Sequence, residues 1–186
     1  MNHMATIYLH CHDAAHFQHI ESNFLTSSFR DAPSTFIGIP QHDLLIDPQR
    51  VVELSARYTT RAAGLMFDSV SDGFQFVFCE DGKLMRHLQY GGKEHGLWQV
   101  AEGEPQPWEE GLFADSPLGN LAEDDPDRAL VAGLYQQRQI MAGNRWPAID
   151  ARETARAVAV FYRLSGWLDD WDNAGVSDGR PWWKVW

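Results

Sequence analysis

The chain has 186 residues, of which 44% are hydrophobic and 22% charged, so it can build one substantial core and lacks the composition of a disordered protein. Its 26 acidic residues outnumber 15 Lys and Arg and give a net charge of −11. This balance argues against nucleic acid or an anionic membrane as a partner, because both require clustered cations. No apolar run reaches the roughly 18 residues that span a bilayer and no signal pattern precedes the first strand, so we expect a cytoplasmic protein.

The N-terminal region predicts a strand followed by a helix. Residues 5–12 alternate, with Cys11 on an apolar face and His10 and His12 on the other. Asp13 suits a helix N-cap before apolar residues at helical spacing. We interpret residues 1–3 as a cloning remnant and leave them out of the fold. Both cysteines of the chain lie in such alternating patterns, which predicts buried free thiols.

The next region predicts a strand, a helix and another strand. Residues 35–39 form a short apolar run. Asp47 and Pro48 together are a strong helix start, since the carboxylate caps the helix and proline suits its first position. Strand character resumes at residues 65–67.

Two Asp-Gly pairs, Asp72-Gly73 and Asp81-Gly82, predict hairpin turns in a meander because both residue types tolerate positive φ. A two-residue turn at Asp81-Gly82 sets a register. The predicted pairs are Glu80 with Lys83, Phe78 with Met85, Phe76 with His87 and Phe74 with Gln89. Apolar side chains then occupy both faces, so either helices cover both faces or one face lines a groove that contains His87 and Gln89.

A third strand through Trp98 runs into the segment Gly103–Trp108, which we call the proline corner because its two prolines end strand pairing. Asp125-Pro126 and Asp150 with Glu153 predict two further helix starts. We therefore expect residues 1–186 to form a single α+β domain, an antiparallel sheet packed by about four helices. The Trp-rich tail, residues 166–186, is expected to pack on this body or on a second subunit of a homodimer.

Histidines at the N-terminus raise the question of a metal site. His10 and His12 share one side of a strand, as paired zinc ligands would. No downstream carboxylate–histidine pair completes a ligand set, so we expect no metal and no other cofactor, with a site on His10 and His12 as the alternative. Nucleophile elbows and phosphate loops are also missing from the sequence.

One group of residues combines a cation, a titratable ring and three aromatic side chains along adjacent strands and the proline corner. Its members are Arg86, His87, Tyr90, Trp98 and Trp108. Such a set could line a small-molecule pocket or anchor a protein partner. The alternative is that the two tryptophans only close the edge of the sheet.

These residues also carry a resemblance. Arg86, the pair Tyr90-Gly91, Trp98 and the acidic run Gly103-Glu104-Pro105-Gln106-Pro107-Trp108-Glu109 resemble a signature of small bacterial proteins with no established activity. The resemblance covers about 25 residues, Arg86 to Glu109. It implies a bacterial, cytoplasmic origin and assigns no catalytic role.

Two functional interpretations follow. The first is a non-enzymatic protein-binding module, such as an acidic immunity-type antagonist of a basic toxin, favoured by the charge, the aromatic residues and the missing catalytic motif. The alternative is a small-molecule-binding or metal-dependent enzyme that uses the sheet face around His87 or the His10/His12 pair.

Overall fold

A computed structural model describes residues 3–23, 36–43, 45–91 and 96–164. Its strands are β1 His3–His10, β2 Phe36–Pro40, β3 Arg61–Asp68, β4 Gly73–Glu80, β5 Lys83–Tyr90 and β6 Trp98–Gly103. Its helices are α1 Ala14–Glu21, α2 Pro48–Tyr58, α3 Arg128–Gln137 and α4 Ala151–Tyr162, with 3₁₀ turns at Pro107–Phe113 and Pro117–Gly119. All strand pairs are antiparallel, in the order β2-β1-β3-β4-β5-β6. The predicted α+β fold is confirmed.

Local capping sets the helix starts. The side chains of Asp13, Asp47 and Asp150 accept hydrogen bonds from backbone N–H groups of the first turns of α1, α2 and α4, as the sequence predicts. The start of α3 was predicted too early. Asp125 accepts from the backbone of Asp127 at 2.9 Å, and this local turn holds residues 125–127 outside the helix.

The β4–β5 hairpin departs from its predicted register after two pairs. Asp81 (φ 48°) and Gly82 (φ 79°) form the predicted turn, with Glu80 opposite Lys83. A bulge then leaves Met85 unpaired. The pairs are instead Phe78 with Arg86, Phe76 with Leu88, Gln75 with Gln89 and Phe74 with Tyr90. The predicted pairs of Phe78, Phe76 and Phe74 were therefore wrong by one residue, because a bulge moves every later side chain of β5 to the opposite face.

Strand β1 also differs from its prediction. It begins at His3, which pairs with Asp68 of β3, and ends at His10 rather than at residue 12. Leaving residue 3 out of the fold was wrong, because the β3 backbone extends far enough to pair with it. Cys11 and Cys79 are buried free thiols as predicted, and burial raises the pKa of Cys79 to about 12.

Helices cover both faces of the sheet, which decides between the two predicted arrangements. One core contains the aromatic side chains of β4, Trp98, Trp108 and the small residues of α4. The other contains apolar residues of β1 and β2 with Ile20 of α1 and Val51 of α2. No groove opens along the described central strands, since β4 is buried from Gly73 to Cys79.

The Trp-rich tail, residues 166–186, lies outside the described residues. None of the helices within the described ranges is long and apolar enough to cross a membrane.

Gly103 and Gly143 make a matched pair for testing the junction after β6. Both have positive φ, 83° and 78°, but a Cβ on Gly103 would lie 2.1 Å from the carbonyl oxygen of Met85, whereas one on Gly143 would meet no atom within 4 Å. Gly143→Ala should lower the free energy of unfolding by about 1–2 kcal/mol, because alanine is strained in a left-handed backbone conformation. Gly103→Ala should cost at least about 2 kcal/mol more, since the bulge must also shift. Urea unfolding measures both, and equal losses would contradict the role assigned to this contact.

Candidate functional site

The structure buries all five residues of the predicted site. The exposed fractions are 3% for Arg86, 9% for His87, 5% for Tyr90, 0% for Trp98 and 5% for Trp108. The bulge places Arg86 and Tyr90 on the face that α4 covers, together with the two tryptophans, and His87 on the opposite face. These residues do not form one surface patch, and their part in binding stays a prediction.

Arg86 is engaged in a buried ion pair. Its Nε donates to Oε1 of Glu109 at 2.9 Å and its Nη2 to Oε2 at 2.5 Å. Its Nη1 donates to the carbonyl of Gly103 at 2.8 Å, while Glu109 Oε1 also accepts from the backbone of Gln106 at 2.8 Å. This bidentate geometry satisfies charges that would be costly to bury alone. It fixes the proline corner against β5.

The aromatic residues of the site connect the sheet to the loop before α4. Trp98 Nε1 donates to the carbonyl of Pro147 at 2.8 Å, and the Tyr90 hydroxyl is hydrogen-bonded to the backbone of Ile149. The Tyr90 and Trp98 rings lie 5.0 Å apart. Trp108 packs edge-on against Phe76, with ring centroids 5.4 Å apart. The residues of the signature therefore form one packed unit, and burial raises the pKa of Tyr90.

His87 lies on the other face and contacts Gln75. The Gln75 amide donates to His87 Nε2 at 3.3 Å and to the carbonyl of Ile46 at 2.9 Å, and its oxygen accepts from Ile46 N at 2.8 Å. Burial lowers the pKa of His87, and the carboxylate of Glu102 across the β5–β6 pair opposes this shift. A neutral His87 accepts a hydrogen bond from Gln75, and Gln75 in turn holds the loop before α2 through the backbone of Ile46.

The N-terminal histidines come together, but Nε2 of His10, Nε2 of His12 and both ring nitrogens of His16 are engaged in hydrogen bonds. The His10 and His12 ring centroids lie 5.2 Å apart. His10 Nε2 accepts from Arg61 at 3.2 Å, His12 Nε2 donates to the Thr59 carbonyl at 3.3 Å, and His16 bonds through both nitrogens. Among the described residues, no three His, Cys, Asp or Glu side chains are arranged to hold a metal ion. A guanidinium beside His10 also disfavours a cation at this position.

A strongly acidic stretch of the chain begins at the end of β6 and includes the proline corner. Residues 102–127, which we call the acidic segment, contain nine Asp and Glu residues and no Lys or Arg. Three of these carboxylates make salt bridges: Glu109 with Arg86, Glu110 with Arg138 and Asp127 with Arg145. The other six make no salt bridge with any described residue. They are Glu102, Glu104, Asp115, Glu123, Asp124 and Asp125.

No local sequence motif marks this segment. The signal that could have found it is charge asymmetry along the chain, because no cation occurs between Glu102 and Arg128. In the structure, Arg128 Nη1 donates to the carbonyls of Leu118 at 2.8 Å and Leu121 at 2.7 Å. The guanidinium of Arg128 therefore holds the backbone of the segment in place by donating to its carbonyl groups.

Comparison with known proteins adds no assignment: no protein-family model, no curated protein and no solved structure matches the chain.

The adjacent residues Glu109 and Glu110 each form an ion pair, so the same Glu→Gln change can be compared in a buried pair and in an exposed one. Glu109→Gln leaves the Arg86 charge buried without its partner, so it should lower the free energy of unfolding by about 3–5 kcal/mol. Glu110→Gln breaks a pair whose side chains are 59% and 57% exposed, and it should cost less than about 1 kcal/mol. Chemical denaturation followed by tryptophan fluorescence measures both. Similar losses for the two variants would show that the buried pair does not hold the corner.

His10 provides a prediction for pH. Burial and the positive charges of Arg61, His12 and His16 lower its pKa to about 4. Since the unfolded value is about 6.5, the unfolded chain binds the proton first as the pH falls. The stability that neutral His10 contributes is therefore full above pH 6.5 and declines towards pH 4. NMR titration of the ring should give a pKa of about 4, and Arg61→Met should raise it. A His10 ring that titrates near its unfolded value would contradict this placement.

Proposed function

We propose that the protein is a non-enzymatic binding module, an acidic immunity-type antagonist that covers the basic surface of a toxin or nuclease. The observation that carries the proposal is the acidic segment, in which six carboxylates make no salt bridge with any described residue. Carboxylates that form no salt bridge within the described part of the molecule are available to the cations of another protein.

The physical chemistry of association supports an acidic surface of this kind. Unpaired charges of one sign attract an oppositely charged protein over several ångströms and raise the rate of productive encounter. An ordered backbone keeps the charges in a fixed pattern, which reduces the entropy lost on binding. Arg128 supplies that order at Leu118 and Leu121.

The partner that follows from this chemistry is one basic protein in the cytoplasm. The packed unit of Arg86, Glu109 and the aromatic side chains lies beneath this surface and holds the acidic segment against the sheet. A second copy of this acidic chain would repel the segment, so a homodimer would have to form through a different surface.

Charge-matched variants test the proposal. Glu104→Gln/Glu123→Gln/Asp124→Asn removes three charges from the acidic segment, and Asp43→Asn/Glu53→Gln/Glu80→Gln removes three exposed charges elsewhere. Wild-type protein immobilised in an extract of its native cells should retain one basic protein in stoichiometric amount at low salt and release it as salt rises. The segment variant should slow association with the purified partner about tenfold. The control variant should stay within about twofold of wild type, because charges far from an interface steer weakly.

Two results would count against the proposal. Retention of no basic protein at either salt concentration would remove the partner. Equal effects of the two triple variants would show that the net charge, and not the acidic segment, governs binding.

A further inference from the structure

A cavity of about 220 Å³ lies between the 3₁₀ turn Pro107–Phe113, α3 and α4. Ligand pockets for drug-sized molecules are usually about 300–1,000 Å³, so this cavity suits a single side chain or a similarly small molecule. Its polar lining comes from three carboxylates, Asp115, Asp150 and Glu153, together with Tyr135 and Thr154. No Lys, Arg or His lines it, and the remaining lining residues are apolar.

The charge within the cavity is negative. Burial and the nearby carboxylate of Asp115 raise the pKa of Tyr135, which keeps its hydroxyl protonated. Asp150 already caps α4 by accepting from the backbone of Glu153 at 2.9 Å, so the helix N-terminus is not open to an outside anion. The field of the cavity therefore favours a cation.

Thr154 supplies a hydrogen-bond acceptor that is independent of the carboxylates. The residue is only 5% exposed and lines the cavity, yet its hydroxyl makes no hydrogen bond with any residue that the structure describes. The hydroxyl oxygen is not one of the buried, unpartnered polar atoms of the described residues, so it is accessible from the cavity and can accept a hydrogen bond there. A ligand with an N–H donor would supply that bond. The Tyr135 hydroxyl likewise has no partner within the described ranges.

The occupant suited to these features is an organic cation and not a bare metal ion. A calcium ion needs six to eight oxygen ligands at short distance. No three acidic side chains in the described part of the chain are arranged to hold a metal, and these carboxylates are included. An ammonium or guanidinium group on an apolar stem places its charge among separated carboxylates and its methylene groups against the apolar wall.

We propose that this cavity binds an alkylammonium or guanidinium group, and that the group is the Lys or Arg side chain of a basic protein partner. The second part rests on the proposed function, whereas the first rests on the cavity alone. The side chain would enter with its charge between Asp115 and Glu153 and donate to the hydroxyl of Thr154. The acidic segment would attract the partner protein from a distance, and the cavity would anchor it at short range.

The isolated protein allows the cation site to be tested without any partner. Titration of isotope-labelled protein with n-pentylammonium chloride, at constant ionic strength, should shift the amide and methyl resonances of Thr154 and the amide resonance of Asp115. Pentan-1-ol, which has the same stem without the charge, should bind at least about tenfold more weakly, because a neutral group gains nothing from the carboxylates. Absence of localised shifts, or equal binding of the two probes, would overturn the proposal.

Two variants test which side chains of the cavity bind the cation. Asp115→Asn/Glu153→Gln should weaken binding of n-pentylammonium about fivefold or more, since two ion pairs with the probe are lost. Thr154→Val keeps the shape and should weaken it about threefold through the lost acceptor. Glu104→Gln/Glu123→Gln removes the same charge outside the cavity and should change binding less than about twofold. If Glu104→Gln/Glu123→Gln weakened binding of n-pentylammonium as much as Asp115→Asn/Glu153→Gln, net charge alone would account for the attraction of the probe.

A peptide probe decides the source of the cation. Acetyl-Gly-Lys-Gly-amide should bind within about threefold of n-pentylammonium, and its norleucine counterpart should not bind. If n-pentylammonium binds but the lysine peptide is excluded, the cavity takes a free amine and the side-chain proposal is wrong. Because both titrations use the protein alone, they can succeed when no basic partner is retained, and they can fail when one is.

Discussion

The packing of the chain beyond β6 depends on the buried ion pair between Arg86 and Glu109. Two charges removed from water are tolerated because each also bonds to backbone groups, the guanidinium to Gly103 and the carboxylate to Gln106. The pair fixes the angle at which the proline corner leaves the edge strand. The acidic segment contains that corner and one wall of the cavity follows it directly, so their position relative to the sheet depends on it.

The residues with the most distinctive chemistry in the sequence serve the core of the molecule. Trp98 and Tyr90 hold the loop that leads into α4 through Pro147 and Ile149. Trp108 closes the same core against Phe76. These contacts place Ile149 in the cavity wall, so the aromatic residues position the candidate binding surface without forming it.

The acidic segment and the cavity share Asp115 and act on a cation over different distances. The acidic segment carries exposed charge, whose influence reaches about a Debye length into solution. The cavity gathers three carboxylates around Thr154, where we propose that a single cation is bound by direct contact. Attraction at long range and discrimination at short range are complementary properties of a surface that recognises a basic protein.

The sequence alone determined the elements that depend on neighbouring residues. The turn at Asp81-Gly82 and the helix caps at Asp13, Asp47 and Asp150 were predictable, because each is set by a hydrogen bond or a dihedral angle within a few positions. The antiparallel α+β fold followed from these local signals.

The tertiary structure alone decided which face each residue of β5 occupies. The bulge at Met85 is stabilised by a contact with Glu104, whose backbone donates to the Met85 carbonyl at 3.1 Å. That bond joins residues far apart in the sequence, and the same is true of the Arg86–Glu109 pair and of the cavity lining. The free energy of such contacts depends on packing in three dimensions, so no local pattern encodes them.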